Sequence, residues 1–324
     1  MNTALLLGGS GFLGRHIRRA LAADWSIHAP SRQECDLVAI DPTALVSLLR
    51  RERPDAVVVA AGRIVGSGYD FVQAHAVVAA KLVEAVTAGA PQARLVKIGS
   101  AAEYGAVPYG TVVAETQPTR PVSEYGVSHL AATRLMELAA ESGRLDAVVL
   151  RVFNPVGPGL TPGNVLGQAA SLIRAAMEHG DEHISLGLLD AYRDFVDVRD
   201  VADAVRAALS CGSLRQRVFN IGSGRATAVK DAVAQLAGVA GFPGEIRDGA
   251  FTAAAGRSTG VPWMCADIRC GADQLGWLPA HPLTDSLAAL WREVGGADRN
   301  TVAAVASDQP QGFTTSGADH AQRL

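Results

Sequence analysis

Short apolar runs alternate along the chain with longer stretches whose apolar residues recur at helical spacing. Ala4-Leu5-Leu6-Leu7, Trp25 to Ala29, Ala56 to Ala61, Arg94 to Gly99 and Ala147 to Val152 are the runs. A strand covered on both faces has no polar side to show, so it reads this way in a parallel sheet. Helical patterns separate them: one ending near Ala23, then Pro42 to Arg51, Tyr69 to about Ala88, and Ser123 to Glu141. Asn164 to His179 and Leu283 to Val294 add two more. Strand and helix in alternation predict an α/β fold with a doubly wound parallel sheet. From Gly295 to Leu324 the periodicity vanishes, which predicts a mobile tail. No internal repeat is visible.

The 324 residues can bury a full core in one or two domains. A formal charge of −3 gives no electrostatic case for nucleic acid or an anionic membrane. The start, Met1-Asn2-Thr3, has no basic segment, so no signal peptide is expected. No apolar run approaches the roughly 20 residues of a membrane span. Cys35, Cys211, Cys265 and Cys270 fit no zinc spacing or disulfide framework, which suits a reduced, cytoplasmic setting.

Chemistry concentrates at the ends of the apolar runs. Gly8-Gly9-Ser10-Gly11-Phe12-Leu13-Gly14 follows the first run and opens a helix. Its glycines fit two registers, Gly9-x-Gly11-x-x-Gly14 and Gly8-x-x-Gly11-x-x-Gly14. Either allows a tight turn that brings a pyrophosphate to a helix N-terminus. After the second run come Ser31 and Arg32, with no carboxylate at its end. An arginine there suits a ribose 2′-phosphate, which favours NADP(H) over NAD(H). Tyr125 and His129 stand four apart, on one face of a helix, and can reach a common ligand.

These features, in this order, resemble the extended short-chain dehydrogenase/reductases over about residues 3 to 294. The phrases that carry the resemblance are the Gly8–Gly11–Gly14 loop, Ser100-Ala101-Ala102-Glu103-Tyr104-Gly105, Arg120 to Tyr125, Phe153 to Gly159, and Arg193-Asp194-Phe195 running to Asp200 and Ala202. The nearest pattern is that of GDP-4-keto-6-deoxymannose reductases. Two positions depart from the family. His129 stands where relatives carry the lysine of Tyr-x-x-x-Lys, and His75 where they usually carry asparagine.

The resemblance implies a Rossmann domain of residues 1–155 plus about 190–224, and a smaller substrate domain of about 156–189 and 225–294. Gly8, Gly11, Phe12, Leu13 and Gly14 would hold the cofactor diphosphate. Asp36 and Leu37 would lie at the adenine, and Ala60, Ala61 and Gly62 at the ribose. Ser100 would hold a substrate carbonyl, Tyr125 would donate the proton, and His129 would bond the nicotinamide ribose. Asn154, Arg193 and Arg257 would contact a substrate diphosphate. Asp200 is expected to N-cap the helix after the Arg193 segment. The helices Tyr69–Ala88 and Ser123–Glu141 are those through which relatives pair, so a homodimer is expected.

The implied reaction is reduction of a small-molecule keto substrate by NADPH. Sugar-nucleotide dehydratases carry an acidic residue two positions before the tyrosine of the serine segment. Here Ala102 takes that place and Glu103 is shifted by one, which argues against dehydration. A lysine side chain (pKa ~10.4) is a fixed charge at neutral pH, whereas an ordinary histidine (~6.5) is mostly neutral. Oxidation needs a tyrosinate and reduction needs a protonated tyrosine. Exchanging the lysine for histidine therefore favours a reductase over an epimerase. Two alternatives stand beside a nucleotide-linked 4-keto-6-deoxy sugar as substrate. One is ketoreduction of a natural product such as an aromatic polyketide in antibiotic biosynthesis. The other is a cofactor-binding protein without catalysis.

Overall fold

The computed structural model describes residues 1–187, 189–249 and 260–296. The apolar runs become β1 (Asn2–Leu7), β2 (Trp25–His28), β3 (Ala56–Val59), β4 (Arg94–Ser100) and β5 (Asp146–Val152). With β9 (Val218–Ile221) they form one sheet in the order β2-β1-β3-β4-β5-β9. Every pairing in it is parallel. The strand order turns back between β1 and β3, and open α/β sheets bind ligands at the carboxyl ends beside such a switch.

Helices cover both faces of this sheet. On one side α2 (Pro42–Glu52), α3 (Gly68–Gly89) and α4 (Glu124–Glu141) bury Leu45, Leu49, Leu82, Val86 and Met136 against Leu5, Val57 and Leu95. On the other, α1 (Phe12–Leu21) and α6 (Val198–Ser210) bury Ile17, Leu21, Val201 and Val205 against Leu6, Val58 and Val148. Each fully buried Leu, Ile or Val contributes about 1.5–3 kcal/mol, so both layers are anchored along their length.

Two small sheets stand beyond β5. β6 (Asn154–Val156), β8 (Tyr192–Asp197) and β10 (Ala226–Ala228) form one, and β7 (His183–Leu186) pairs with β11 (Glu245–Asp248). They surround a separate core, including Leu166, Ile173, Phe195, Leu236 and Leu287, with α5 (Val165–His179), α7 (Val229–Ala240) and α9 (Leu283–Gly296). The short α8 (Arg269–Leu275) packs Leu275 into the core on the α1 and α6 side of the large sheet.

Three expectations change. First, α3 is a continuous helical stretch of 22 residues, long and apolar enough to cross a membrane by length and composition, where none was expected. Its Ala79, Leu82, Val83 and Val86 are instead spent on the protein core. It also contains a π-helical turn at Val72–Val77, which helical periodicity does not announce. Second, the N-cap of α6 is Asp197, whose side chain accepts from Arg199 N–H at 2.7 Å. Asp200 already lies inside the first turn, where it accepts from the backbone N–H groups of Ala280 and His281, both at 3.1 Å, and pairs with His281 Nδ1 at 2.7 Å. Both aspartates could cap by spacing; the need to clamp the 280–281 segment assigns them. Third, the last helix runs to Gly296, two residues past Val294. Residues 297–324, the expected tail, and Arg257 lie outside the described residues.

Candidate active site

A cavity of about 440 Å³ opens at the carboxyl ends of β1, β3, β4 and β5, between the large sheet and the α5 side of the molecule. Gly11, Phe12, Leu13, Ala60, Ala61 and Gly62 line one part of it. Ser100, Tyr125, His129, Asn154 and Arg193 line the rest. The structure thus gathers on one cavity residues that span nearly 200 positions of sequence.

The glycine loop has the shape of a diphosphate cradle. Gly8 has φ +88°, and a Cβ there would come within 2.5 Å of Ala61 N. A Cβ on Gly14 would stand 2.0 Å from Gly8 O. Neither glycine is among the residues lining the cavity; without a Cβ, Gly8 lets the loop close against Ala60 and Ala61, and Gly14 lets the helix start close against Gly8. Gly11 is the N-cap of α1 and supplies no side-chain cap, so the first N–H groups of the helix are left for an anion. The residues present fit a dinucleotide.

The segment after β2 stands outside the cavity lining. Ser31 is exposed and folds into a local turn, its Oγ accepting from Glu34 N–H at 3.3 Å. Arg32 is exposed and its Nε donates to Asp36 Oδ2 at 3.0 Å. That bond and the Val38 N–H hold the Asp36 carboxyl below the usual carboxylate range. The Leu37 side chain is packed in the core near α2, and its carbonyl accepts from Lys81 Nζ.

Ser100 closes β4 and begins a 3₁₀ turn, Ala101–Glu103. Its Oγ accepts from Ala102 N–H at 3.2 Å, which leaves the hydroxyl proton to donate into the cavity. Tyr125 lies in the first turn of α4, which Ser123 caps by accepting from Gly126 N–H at 3.2 Å. The Tyr125 ring meets His129 at 4.5 Å between centroids and Phe71 edge-on at 5.5 Å. His129 is buried, and its ring lies 4.0 Å from that of His75. His129 is therefore one of a cluster of rings around the tyrosine.

Arg193, on β8, is buried yet lines the cavity. Its Nη1 donates to Tyr192 O at 2.8 Å, while Nη2 is buried without a hydrogen-bond partner among the described residues. Burial alone pulls its pKa down to about 10. A buried guanidinium with a free edge is costly unless an anion meets it. Its neighbour Asp194 is structural: it accepts from Ser223 N–H and Oγ–H, Gly224 N–H and Ala266 N–H. Asn154, on β6, donates one amide N–H to Asp194 O at 3.1 Å, which holds it at the cavity edge.

Several residues at the site were not legible beforehand. Arg63 and Ile64 continue the β3 loop along the cavity; Leu160, Val165 and Met264 give it an apolar wall. Apolar residues after an Asn-Pro turn carried no signal of this kind. Lys97 lies behind the cavity lining, buried on β4 with Nζ donating to Ile98 O at 2.9 Å; burial draws its pKa down to about 8, and its charge acts on His75. A lysine inside a strand pattern could have been noticed.

Known proteins bear on this geometry. The family model described as NAD dependent epimerase/dehydratase matches residues 4–222. A dTDP-6-deoxy-L-talose 4-dehydrogenase (NAD(P)(+)) from Kitasatospora kifunensis is 39% identical over 300 residues, covering 88% of this chain and 93% of its own. A GDP-6-deoxy-D-mannose reductase from Pseudomonas aeruginosa is 30% identical over 294 residues, 87% and 94% of the two chains. The structure of RMD from Pseudomonas aeruginosa complexed with NADPH superimposes with a TM-score of 0.80 at 28% identity, over 92% of this chain and 100% of that one. A UDP-glucose 4-epimerase from Azospirillum brasilense is 29% identical, over 87% of this chain and 89% of its own.

Proposed function

The chain belongs to the NAD dependent epimerase/dehydratase family, and on that footing we propose that it is an NADPH-dependent ketoreductase of a nucleotide-linked 4-keto-6-deoxy sugar. It is an NAD(P)-dependent enzyme of the extended short-chain dehydrogenase/reductase type. The observation that carries the substrate reading is Arg193, a buried cation on the cavity whose Nη2 has no partner among the described residues. A substrate diphosphate supplies the missing charge and acceptors in bidentate geometry. The apolar wall of Leu160, Val165 and Met264 suits the methyl group of a 6-deoxy sugar.

The dihydronicotinamide, when bound, supplies a hydride. Ser100 holds the carbonyl oxygen through its uncommitted hydroxyl proton. Tyr125 gives its phenolic proton to the oxygen as it becomes an alcohol. His129 bonds a ribose hydroxyl and keeps the tyrosine ring in place. Asn154 and Arg193 hold the diphosphate, so the sugar is fixed by groups remote from the reacting carbon. Glu103 takes no part, since it is fully buried and bonded to Arg151.

Incubation with NADPH and either dTDP- or GDP-4-keto-6-deoxyhexoses tests this. Stoichiometric NADPH oxidation with formation of a 6-deoxyhexose is expected. A sugar altered with no net change in cofactor makes the enzyme an epimerase, because hydride then returns to the sugar. Oxidation of NADPH only with an aromatic polyketide ketone sinks the sugar-nucleotide reading.

We further propose a homodimer through α3 and α4. Both leave apolar side chains in water, Tyr69 and Val72 on the first and Val127, Leu135 and Leu138 on the second. Light scattering should give twice the chain mass, and Leu138→Glu should give the monomer. A wild-type monomer at micromolar concentration ends the proposal.

A further inference from the structure

His75 has no part in the mechanism above, yet it touches both halves of the machinery. It sits in the π-helical turn of α3, buried. The backbone N–H of Arg63 donates to His75 Nε2 at 3.1 Å. Nε2 is therefore the unprotonated nitrogen and the ring hydrogen is on Nδ1. His75 Nδ1 accordingly donates to Ser128 Oγ at 2.8 Å, and Ser128 Oγ donates to the Tyr125 carbonyl at 2.8 Å. One imidazole thus bonds the loop after β3, which lines the cofactor part of the cavity, and the first turn of the helix that carries the proton donor.

Packing adds to the bonds. The His75 ring meets the Tyr125 ring edge-on at 5.4 Å and 89°. Its other neighbours are His129 at 4.0 Å and Phe71, stacked at 6.2 Å. A Cβ on Gly62 would come 3.2 Å from Nε2, so the loop must stay small there for the ring to reach it. π-turns recur at functional sites because the extra residue per turn re-aims side chains that an α-helix would point elsewhere.

We propose that His75 is a positioning residue that couples the cofactor loop to the catalytic helix and sets the orientation of the Tyr125 ring. Rings and hydrogen bonds around the tyrosine, from Phe71, His75, Ser128 and His129, do the holding. Burial, with the charge of Lys97 nearby, keeps the imidazole neutral, so the Nδ1–H form persists through the neutral range. The inference rests on the family's cofactor and not on which sugar is reduced.

Asparagine and glutamine separate the two bonds, because Asn Nδ2 superimposes on His Nδ1 and Gln Oε1 on His Nε2. His75→Gln restores the acceptor for Arg63; His75→Asn restores the donor to Ser128; His75→Leu restores neither. NADPH affinity, from cofactor fluorescence, should weaken by about 10-fold in His75→Leu and recover in His75→Gln, as expected for one backbone hydrogen bond. Turnover at saturating NADPH should recover more in His75→Asn. Two-dimensional ¹⁵N NMR of histidine-labelled protein at pH 7 should show His75 protonated on Nδ1 alone. An Nε2–H tautomer overturns the proposal, as does a folded His75→Leu variant that binds NADPH like wild type. If His75→Leu does not fold, the Gln and Asn variants decide: equal NADPH affinity in both makes His75 a packing residue. The NMR and binding arms need no sugar substrate, so they stand even if the ketoreductase reading fails.

Discussion

Arg151 Nε donates to Glu103 Oε2 at 2.8 Å, and both side chains are shut away from water. The same guanidinium reaches the hydroxyl of Tyr104 at 3.1 Å and stands over its ring at 4.8 Å. Tyr104 in turn donates to Asn220 Oδ1 at 2.7 Å, and burial pushes its own pKa up to about 12. The second Glu103 oxygen accepts from Ser100 N–H at 3.1 Å. The network pins the ends of β4, β5 and β9 beside Ser100, which lines the cavity.

Breaking that pair should therefore cost stability before it costs chemistry. Glu103→Gln leaves the Arg151 charge buried, and removal of one partner of such a pair typically costs about 3–5 kcal/mol. Glu103→Leu combined with Arg151→Met should be less damaging than the sum of the two single changes. Urea unfolding of Glu103→Gln, of the Leu and Met single variants and of their combination measures this. Additive losses would mean that the two side chains do not act as a pair.

Proton donation by Tyr125 predicts a rate loss of roughly 10²–10⁴-fold in Tyr125→Phe with cofactor binding retained. His129→Lys introduces a fixed cation beside the phenol and should speed alcohol oxidation more than ketone reduction. Rates in both directions across pH 6 to 9 (about the span between ordinary His and Tyr titration) provide the check. A folded His129→Lys enzyme with an unchanged ratio of the two rates is the contrary result.

If Arg32 sets the proposed preference for NADPH, an exchange of its partner is required. Its guanidinium is tied to Asp36 and must turn to a 2′-phosphate for NADPH to gain over NADH. Arg32→Ala should narrow the difference in binding by about 1–3 kcal/mol. Asp36→Asn should widen it, by releasing the arginine and removing a like charge. Calorimetric titration with both cofactors reads the effect; equal wild-type affinities contradict it.

Acid should weaken the fold through His75. Burial holds its pKa down to about 3, against an ordinary value of 6.5. Between those values the unfolded chain binds a proton that the native protein does not, so stability falls as pH drops below 6.5. The slope for one such group is at most about 1.36 kcal/mol per pH unit. His75→Asn should lose this part of the slope between pH 6 and 5, while that from His16, also depressed by burial, remains. Identical slopes for wild type and variant in denaturant titrations rule it out.

Local chemistry made much of this molecule legible. Runs such as Leu5-Leu6-Leu7 and Val57-Val58-Val59, short and bounded by turn residues, read as strands covered on both sides, and the glycine loop reads as a tight turn. The positions of Ser100 and Tyr125 at the ends of such elements followed from their neighbours. Partner choice was different. Asp197 and Asp200 are equally good caps by spacing, and only the approach of the 280–281 segment assigns one to the helix and the other to a clamp. Glu103 finds Arg151 48 residues away, and His75 finds Ser128 53 residues away, through the pairing of β4 with β5 and the packing of α3 on α4. Periodicity records that a side chain is buried. It does not record which group is brought against it, because that depends on strand register and helix crossing, and one π-turn is enough to change the answer.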